Sequence, residues 1–226
     1  MGGHIFDDWP ERYDQWFEPP VGRLIRDYES QLVMELLQPG RGEFILDAGC
    51  GTGVFTRDIL ERGATVIGLD ISLSMLRRFR EKCRSFPAEA LKGDILHLPF
   101  GDGVFDKTLS ITAIEFIEDG PAALAELFRV TRPGGLIVVA TLNSQSPWAA
   151  RRSSDARTKG HPIFDKTIFR SPRELMACSP VPGNFRTAIH FSKDEDQAKI
   201  GLIEEEGKRR NPDSGAFLIA AWRKPR

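Results

Sequence analysis

The stretch Phe44-Ile45-Leu46-Asp47-Ala48-Gly49-Cys50-Gly51-Thr52-Gly53 decides how the chain is read. An apolar run ends on an acid, and three glycines follow at alternate positions. Glycine lets the backbone turn sharply and lets a ligand lie against bare main chain. The pattern predicts a strand over 43–47, then a turn, then a helix over 53–62 that Gly63 closes. A dinucleotide-binding loop of the form G-x-G-x-x-G would have its third glycine at position 54, where Val54 stands. An acid at the strand end would also repel a pyrophosphate, whereas it suits a ligand carrying an ammonium group. Both features count against a nicotinamide-dependent oxidoreductase.

Working outward, Val66-Ile67-Gly68-Leu69-Asp70 predicts a second strand that again ends on an acid. Such an acid, about 20 residues beyond the glycines, is placed to hold a ribose diol. Taken alone, Asp70 reads equally as a helix cap. Ile71, Met75, Leu76, Phe79 and Cys83 mark the buried stripe of a helix, with Ser72 as its N-cap. Further strands are expected over 89–92 and 104–111, then a helix opened by Pro121 and buried through Leu124, Leu127 and Phe128. Pro133-Gly134-Gly135 turns the chain into Leu136-Ile137-Val138-Val139-Ala140, an apolar run suited to a strand covered on both faces. Alternation of strand and helix at this spacing predicts an open, doubly wound α/β sheet.

The flanks differ in character. Residues 7–37 read as helical, broken at Pro19-Pro20, with a buried stripe of Val21, Leu24, Ile25, Tyr28, Leu32 and Leu36. Residues 144–182 are rich in Ser, Pro and Arg, and apart from Pro162-Ile163-Phe164 carry no strand signal; they are expected to form a helical insertion or lid. Two last strands are expected over 185–192 and 215–222. Between them, 194–210 is an exposed helix or loop anchored by Ala198, Leu202 and Ile203. No internal repeat or low-complexity tract interrupts this order. One domain is therefore expected, with an N-terminal helical cap (1–40), a central α/β core (41–143), the insertion (144–182) and C-terminal strands (183–226).

Composition sets the outer limits. The chain has 226 residues, with 31 Lys+Arg against 32 Asp+Glu, so bulk electrostatic attraction to nucleic acid is not expected. No apolar run is long enough to span a bilayer. The start Met1-Gly-Gly-His-Ile-Phe6 resembles neither a secretory signal nor a myristoylation site. Three scattered cysteines, Cys50, Cys83 and Cys178, with no CxxC pair, predict neither disulfides nor a zinc cluster and fit a reducing cytoplasm. His4, His97, His161 and His190 have no ligand spacing, so no metal is expected.

Five motifs taken together resemble the class I S-adenosylmethionine-dependent methyltransferases: Asp47-Ala-Gly-Cys-Gly-Thr-Gly53, Gly68-Leu-Asp70, Gly93-Asp94-Ile95 with Leu98-Pro-Phe100, Val104-Phe-Asp106, and Arg132-Pro-Gly-Gly135. The resemblance is strongest to the small-molecule branch that includes ubiquinone- and menaquinone-type methyltransferases, and it covers about residues 40–142. It implies a seven-stranded Rossmann-like sheet whose last strand is antiparallel. It also implies S-adenosylmethionine as cofactor, S-adenosylhomocysteine as product and a small molecule as acceptor. On this resemblance Asp47 faces the methionine ammonium, and Ala48, Gly49, Cys50, Gly51 and Gly53 belong to the loop beneath the methionine and ribose. Asp70 holds the ribose diol, and Ile71 and Met75 pack on the adenine. Gly93, Asp94 and Ile95 complete the adenine site, Asp94 accepting from the amino group. A Tyr-Asp-x-Trp segment of the kind seen at 13–16 folds over the cofactor in look-alikes, which puts Tyr13 near the methionine carboxylate and Trp16 beside it.

Other groups have plainer roles beside a functional one. Cys50 occupies a small-residue position in the glycine loop, and a reactive thiol is not expected there. Glu115 is a candidate base or cation-binding group, or a structural residue; members of the resembling family often carry His near this point, and Phe116 stands here. The Asn/Asp/Ser-Pro-Pro-aromatic motif of DNA amino-methyltransferases is absent from this strand end, which disfavours a nucleic-acid substrate. The basic groups Arg151-Arg152, Arg157-Thr-Lys159 and Lys208-Arg-Arg210 read first as solvated surface. Trp148 and Phe164 belong either to a lid wall or, for Trp148, beneath the final strands. A cofactor-binding regulatory protein without transferase activity remains the alternative from another class.

Overall fold

The computed structural model describes residues 6–151 and 167–226. Two helices come first, α1 (Pro10–Trp16) and α2 (Pro20–Leu37), each opened by a proline at its start. Strands and helices then alternate: β1 (Phe44–Ala48), α3 (Thr56–Glu61), β2 (Thr65–Asp70), α4 (Leu73–Cys83), β3 (Ala88–Lys92), β4 (Phe105–Ile111), α5 (Gly120–Val130) and β5 (Thr131–Leu142). A helical turn at 147–151 and α6 (Pro172–Ala177) precede β6 (Gly183–Ala188), α7 (Gln197–Arg210) and β7 (Phe217–Arg223). The expected stretch 162–164 lies outside the described residues.

The seven strands form one sheet in the order β3-β2-β1-β4-β5-β7-β6. The pairs among β1 to β5 are parallel, and β7 lies antiparallel between β5 and β6. The chain steps outward from β1 to β2 and β3, then returns to lay β4 on the other side of β1. Adjacent residues of a strand therefore face opposite layers. Ile45, Leu109, Val138 and Ile219 pack with Leu32 and Val33 of α2 on one face. Leu46, Ile137, Val139 and Leu218 pack with Leu124 and Leu127 of α5 on the other. Burial on both faces explains why these strands read as continuous apolar runs.

Local chemistry sets the helix starts. Ser72 accepts from the Met75 N–H, Asp119 from Ala122 N–H, and Ser171 forms a reciprocal capping box with Glu174. Four expectations need correction. Strand β6 ends at Ala188, not Ser192, because Ile189 takes a left-handed φ of +67°. Helix α3 begins at Thr56, not Gly53, because residues 50–55 are spent on the turn. Strand β5 begins at Thr131, ahead of the glycines, since Thr131 already pairs with Phe105 before a register shift. In α7, Ala198 and Leu202 are exposed, Leu202 by 76%, while Ile200 and Glu204 are the buried anchors. Glu204 is drawn inward because its carboxylate accepts from the backbone N–H groups of Ile189 and His190.

Candidate functional site

The strand order reverses between β1 and β4, and a crevice opens at the carboxyl ends of such a pair. A cavity of about 1060 Å³ lies there. That is at or above the upper end of single-ligand pockets, roughly 300–1000 Å³. Asp47 enters it from the end of β1 and is 3% exposed. Its carboxyl is pushed up to about 7 by burial; the Thr56 hydroxyl it accepts from pulls down, and nearby Asp70 pushes up.

The glycine loop is bound to the neighbouring strand: the N–H groups of Gly49 and Cys50 both donate to the Leu69 carbonyl, at 2.6 and 3.0 Å. Gly49 has φ +80°, and a Cβ there would stand 2.4 Å from the Ala113 Cβ. The backbone thus passes bare along the cavity floor. Gly53 serves a different end. A Cβ on it would meet Phe79 at 3.0 Å and Cys83 at 3.3 Å, so this glycine permits close approach of the turn to α4. Neither Gly53 nor Ala48 lines the cavity. Cys50 does, but burial and then the Asp47 and Asp70 charges raise its thiol well above the ordinary range, which leaves it inert.

Asp70, at the end of β2, accepts from Gly51 N–H at 2.9 Å through one oxygen and from Ser72 N–H at 2.8 Å through the other. Asp70 thus clamps the glycine loop and the turn before α4, while the helix cap itself is Ser72. Ile71 and Met75 follow along the same wall, Ile71 the more exposed of the two. Gly93, Asp94 and Ile95 close that end, Asp94 accepting from Leu96 N–H at 2.9 Å and lying 3.5 Å from the exposed His97.

On the other side, β4 runs into Thr112, whose φ is +51°, and then a single turn, Ile114–Phe116, that carries Glu115 into the cavity wall. Arg170 fixes this turn from outside, donating to the carbonyls of Ile114 at 2.8 Å and Ile117 at 2.7 Å. Tyr13 reaches the same place from α1. Its phenol lies near the Thr112 side chain, and burial followed by the Glu29 charge, with smaller contributions from Glu115 and Asp14, holds it well above its ordinary range. Tyr13 therefore stands at the β4 end, among carboxylates. Trp16 lines the cavity, with the Lys193 ammonium 4.5 Å from its ring centre. Trp148 both lines the cavity and donates from its indole N–H to the Phe191 carbonyl, under the final strands.

Twelve of the fourteen residues assigned by resemblance to the cofactor site thus share one cavity, as does Glu115. Sequence reasoning missed Glu29, Asp14 and Arg170. Only Glu29 left a trace, as an acid in the buried stripe of α2 between Ile25 and Leu32. Among the described residues no cluster of metal-ligating side chains forms, and no helix is long and apolar enough to cross a membrane. Arg151 pairs with Asp194, and Lys208 and Arg210 pair with acids of their own helix. Arg152, Arg157, Lys159, His4 and His161 lie outside the described residues.

A methyltransferase-domain family model matches residues 46–139. The malonyl-[acyl-carrier protein] O-methyltransferase of Serratia marcescens is 47% identical over 105 residues, 46% of this chain and 40% of that protein. The chain spans 40% to 50% of the length of the first four relatives of that name that it matches. The demethylmenaquinone methyltransferase of Thermobifida fusca is 33% identical over 171 residues, 67% of this chain and 72% of that protein. A crystal structure of an S-adenosylmethionine-dependent methyltransferase from Thermotoga maritima superposes with a TM-score of 0.77 over 98% of both chains at 24% identity, a likeness of fold. With that fold, the acid-led glycine loop and a relative matched over most of its length, the chain belongs to the class I S-adenosylmethionine-dependent methyltransferases.

Proposed function

We propose that the protein transfers the methyl group of S-adenosylmethionine to a small-molecule acceptor. One observation carries this: the acids ending β1 and β2 and the bare Gly49 backbone share a single cavity with the ends of β4 and β5, and that cavity has room for a second molecule. When bound, the cofactor supplies an electrophilic methyl group on a sulfonium. The chain's own residues bind and orient. Asp47 faces the ammonium, Asp70 the ribose diol, Ile71 and Met75 the adenine face, and Asp94 its amino group. Gly49, Cys50 and Gly51 give the surface on which the methionine lies, and Gly53 lets that loop pack on α4.

Little acid–base help is needed for in-line displacement by a nucleophile that is already reactive; alignment and exclusion of water supply most of the acceleration. Tyr13, Glu29, Thr112 and Glu115 line the acceptor side, with Phe17, Phe116 and Trp148 as its apolar wall. Glu115 is the group best placed to take a proton from an acceptor. Three unpaired cysteines support a place in the reducing cytoplasm.

Calorimetry tests the cofactor: S-adenosylhomocysteine is expected to bind at about micromolar Kd and NAD not at all. Heat from NAD and none from either sulfur nucleoside would overturn the assignment. Release of S-adenosylhomocysteine with a panel of acceptors then separates an enzyme from a regulatory binder.

A further inference from the structure

The N-terminal segment has two faces. Phe6, Trp9, Tyr13 and Trp16 look into the cavity. Asp7, Glu11 and Asp14 meet α4 instead. Ser72 Oγ donates to Asp7 at 2.8 Å, Arg78 pairs with Glu11 at 3.2 Å, and Lys82 pairs with Asp14 at 2.5 Å. Acids at helical spacing thus follow successive donors of one helix.

Asp14 differs from the other two. The Asp14 and Lys82 side chains are 22% and 31% exposed, against 64% for Glu11. The same Asp14 oxygen accepts from Thr52 Oγ1 at 2.7 Å, and Lys82 Nζ lies 2.9 Å from that hydroxyl. Thr52 is fully buried and sits between Gly51 and Gly53. One carboxylate therefore joins α1, the glycine loop and the last turn of α4. Helix α1 has seven residues and no side-chain cap. A helix so short does not hold its own shape or direction in water. Its placement comes from the Tyr13–Phe17–Phe55 ring contacts and from these ties.

We propose that Asp14 is a positioning residue for methyl transfer. Held by Thr52 and Lys82, it sets α1 so that its neighbours Tyr13 and Trp16 line the cavity. Because Thr52 belongs to the glycine loop, closure of α1 and the shape of the cofactor floor are linked. The role assigned to Asp14 rests on the methyltransferase reading of the cavity, but its first readout needs no ligand.

The test uses the full chain with Asp14→Ala, Lys82→Ala, the double variant, Lys82→Arg, and Glu11→Gln as a peripheral control. Amide hydrogen exchange over residues 10–17 is measured without ligand, and the dissociation rate of S-adenosylhomocysteine by stopped flow. Asp14→Ala is expected to raise both by about tenfold, and Lys82→Ala by less, because the Thr52 hydroxyl still holds Asp14. The double variant is expected to match Asp14→Ala, because the Lys82 contact is already lost with the carboxylate. Lys82→Arg restores parental values, and Glu11→Gln changes them by less than about twofold. A purely structural Asp14 would lower the melting temperature and leave the dissociation rate at the parental value, and that result overturns the proposal. So does a double variant whose effects multiply. If the parent binds no S-adenosylhomocysteine, the methyltransferase reading fails, and unchanged exchange in Asp14→Ala would still separately refute the tie.

Discussion

Asp47 shows how one buried acid couples stability to binding. Its carboxyl ionises near 7 in the fold, against 3.8 for the ordinary group. Between those values the folded protein keeps a proton that the unfolded chain has released. The group's contribution to stability is therefore complete below the lower value and is lost as pH rises through the upper one, at about 1.4 kcal/mol per pH unit. Asp47→Asn should flatten the fall in melting temperature between pH 5 and 7, as thermal scans in matched buffers will show. Binding runs the other way: a cationic ligand wants Asp47 ionised, so affinity for S-adenosylmethionine should climb by up to about tenfold per pH unit below 7 and level off above it. Calorimetry across that range checks this, and Asp47→Asn should remove the slope. At Asp70, replacement by Ala should cost about 1.5–3 kcal/mol of cofactor affinity, since it removes a charge-assisted pair and the clamp on Gly51 together. Titration equal to the parent would leave Asp70 only its backbone roles. Asp47, Asp70 and Asp94 were legible because each ends a strand or strand-like run before a turn. Asp14 and Arg170 were not, because their partners lie 38 and 56 residues away in sequence and meet only through the sheet.

At the scale of elements, the turn from β1 to α3 separates two demands on glycine. Gly49 combines φ +80° with a Cβ position 2.4 Å from the Ala113 Cβ, whereas Gly51 has φ +52° and open space around it. Gly51→Ala should therefore cost only the left-handed backbone penalty, about 1–2 kcal/mol. Gly49→Ala adds overpacking and should cost about 2–5 kcal/mol. Urea denaturation of the two variants measures the gap, and equal midpoints would mean that Ala113 yields freely. The turn that carries Glu115 depends in turn on Arg170. Arg170→Met keeps the bulk but abandons the Ile114 and Ile117 carbonyls, at an expected cost of about 2–4 kcal/mol, read from the same denaturation curves. Strands of the inner sheet could be read directly, since burial on both faces leaves unbroken runs such as Leu136–Ala140. Ends were harder. The start of β5 depends on pairing with Phe105, and the inward face of α7 depends on a carboxylate satisfying N–H groups at Ile189 and His190, so neither shows as apolar periodicity.

For the molecule as a whole, the order β3-β2-β1-β4-β5-β7-β6 places every strand-end acid of the first half against the wall supplied by the second. Phe6, Tyr13 and Trp16 come from the N-terminus, Glu29 from α2, and Ser146, Trp148 and Phe169 from beyond β5, so the cavity exists only in the assembled fold. A ligand that fills such a site binds the folded chain and not the unfolded one, and must raise its melting temperature by mass action. At a hundredfold excess over Kd the gain is about 2.7 kcal/mol. For a chain of 226 residues that corresponds to about 5–11 °C. S-adenosylhomocysteine should produce this shift, and the shift should grow with the logarithm of ligand concentration once the site is saturated. NAD at the same concentration should produce none, because Val54 stands where its loop requires glycine and Asp47 opposes its pyrophosphate. A shift with NAD and none with S-adenosylhomocysteine would reassign the cavity to a different cofactor, since linkage admits no stabilisation without preferential binding to the folded state.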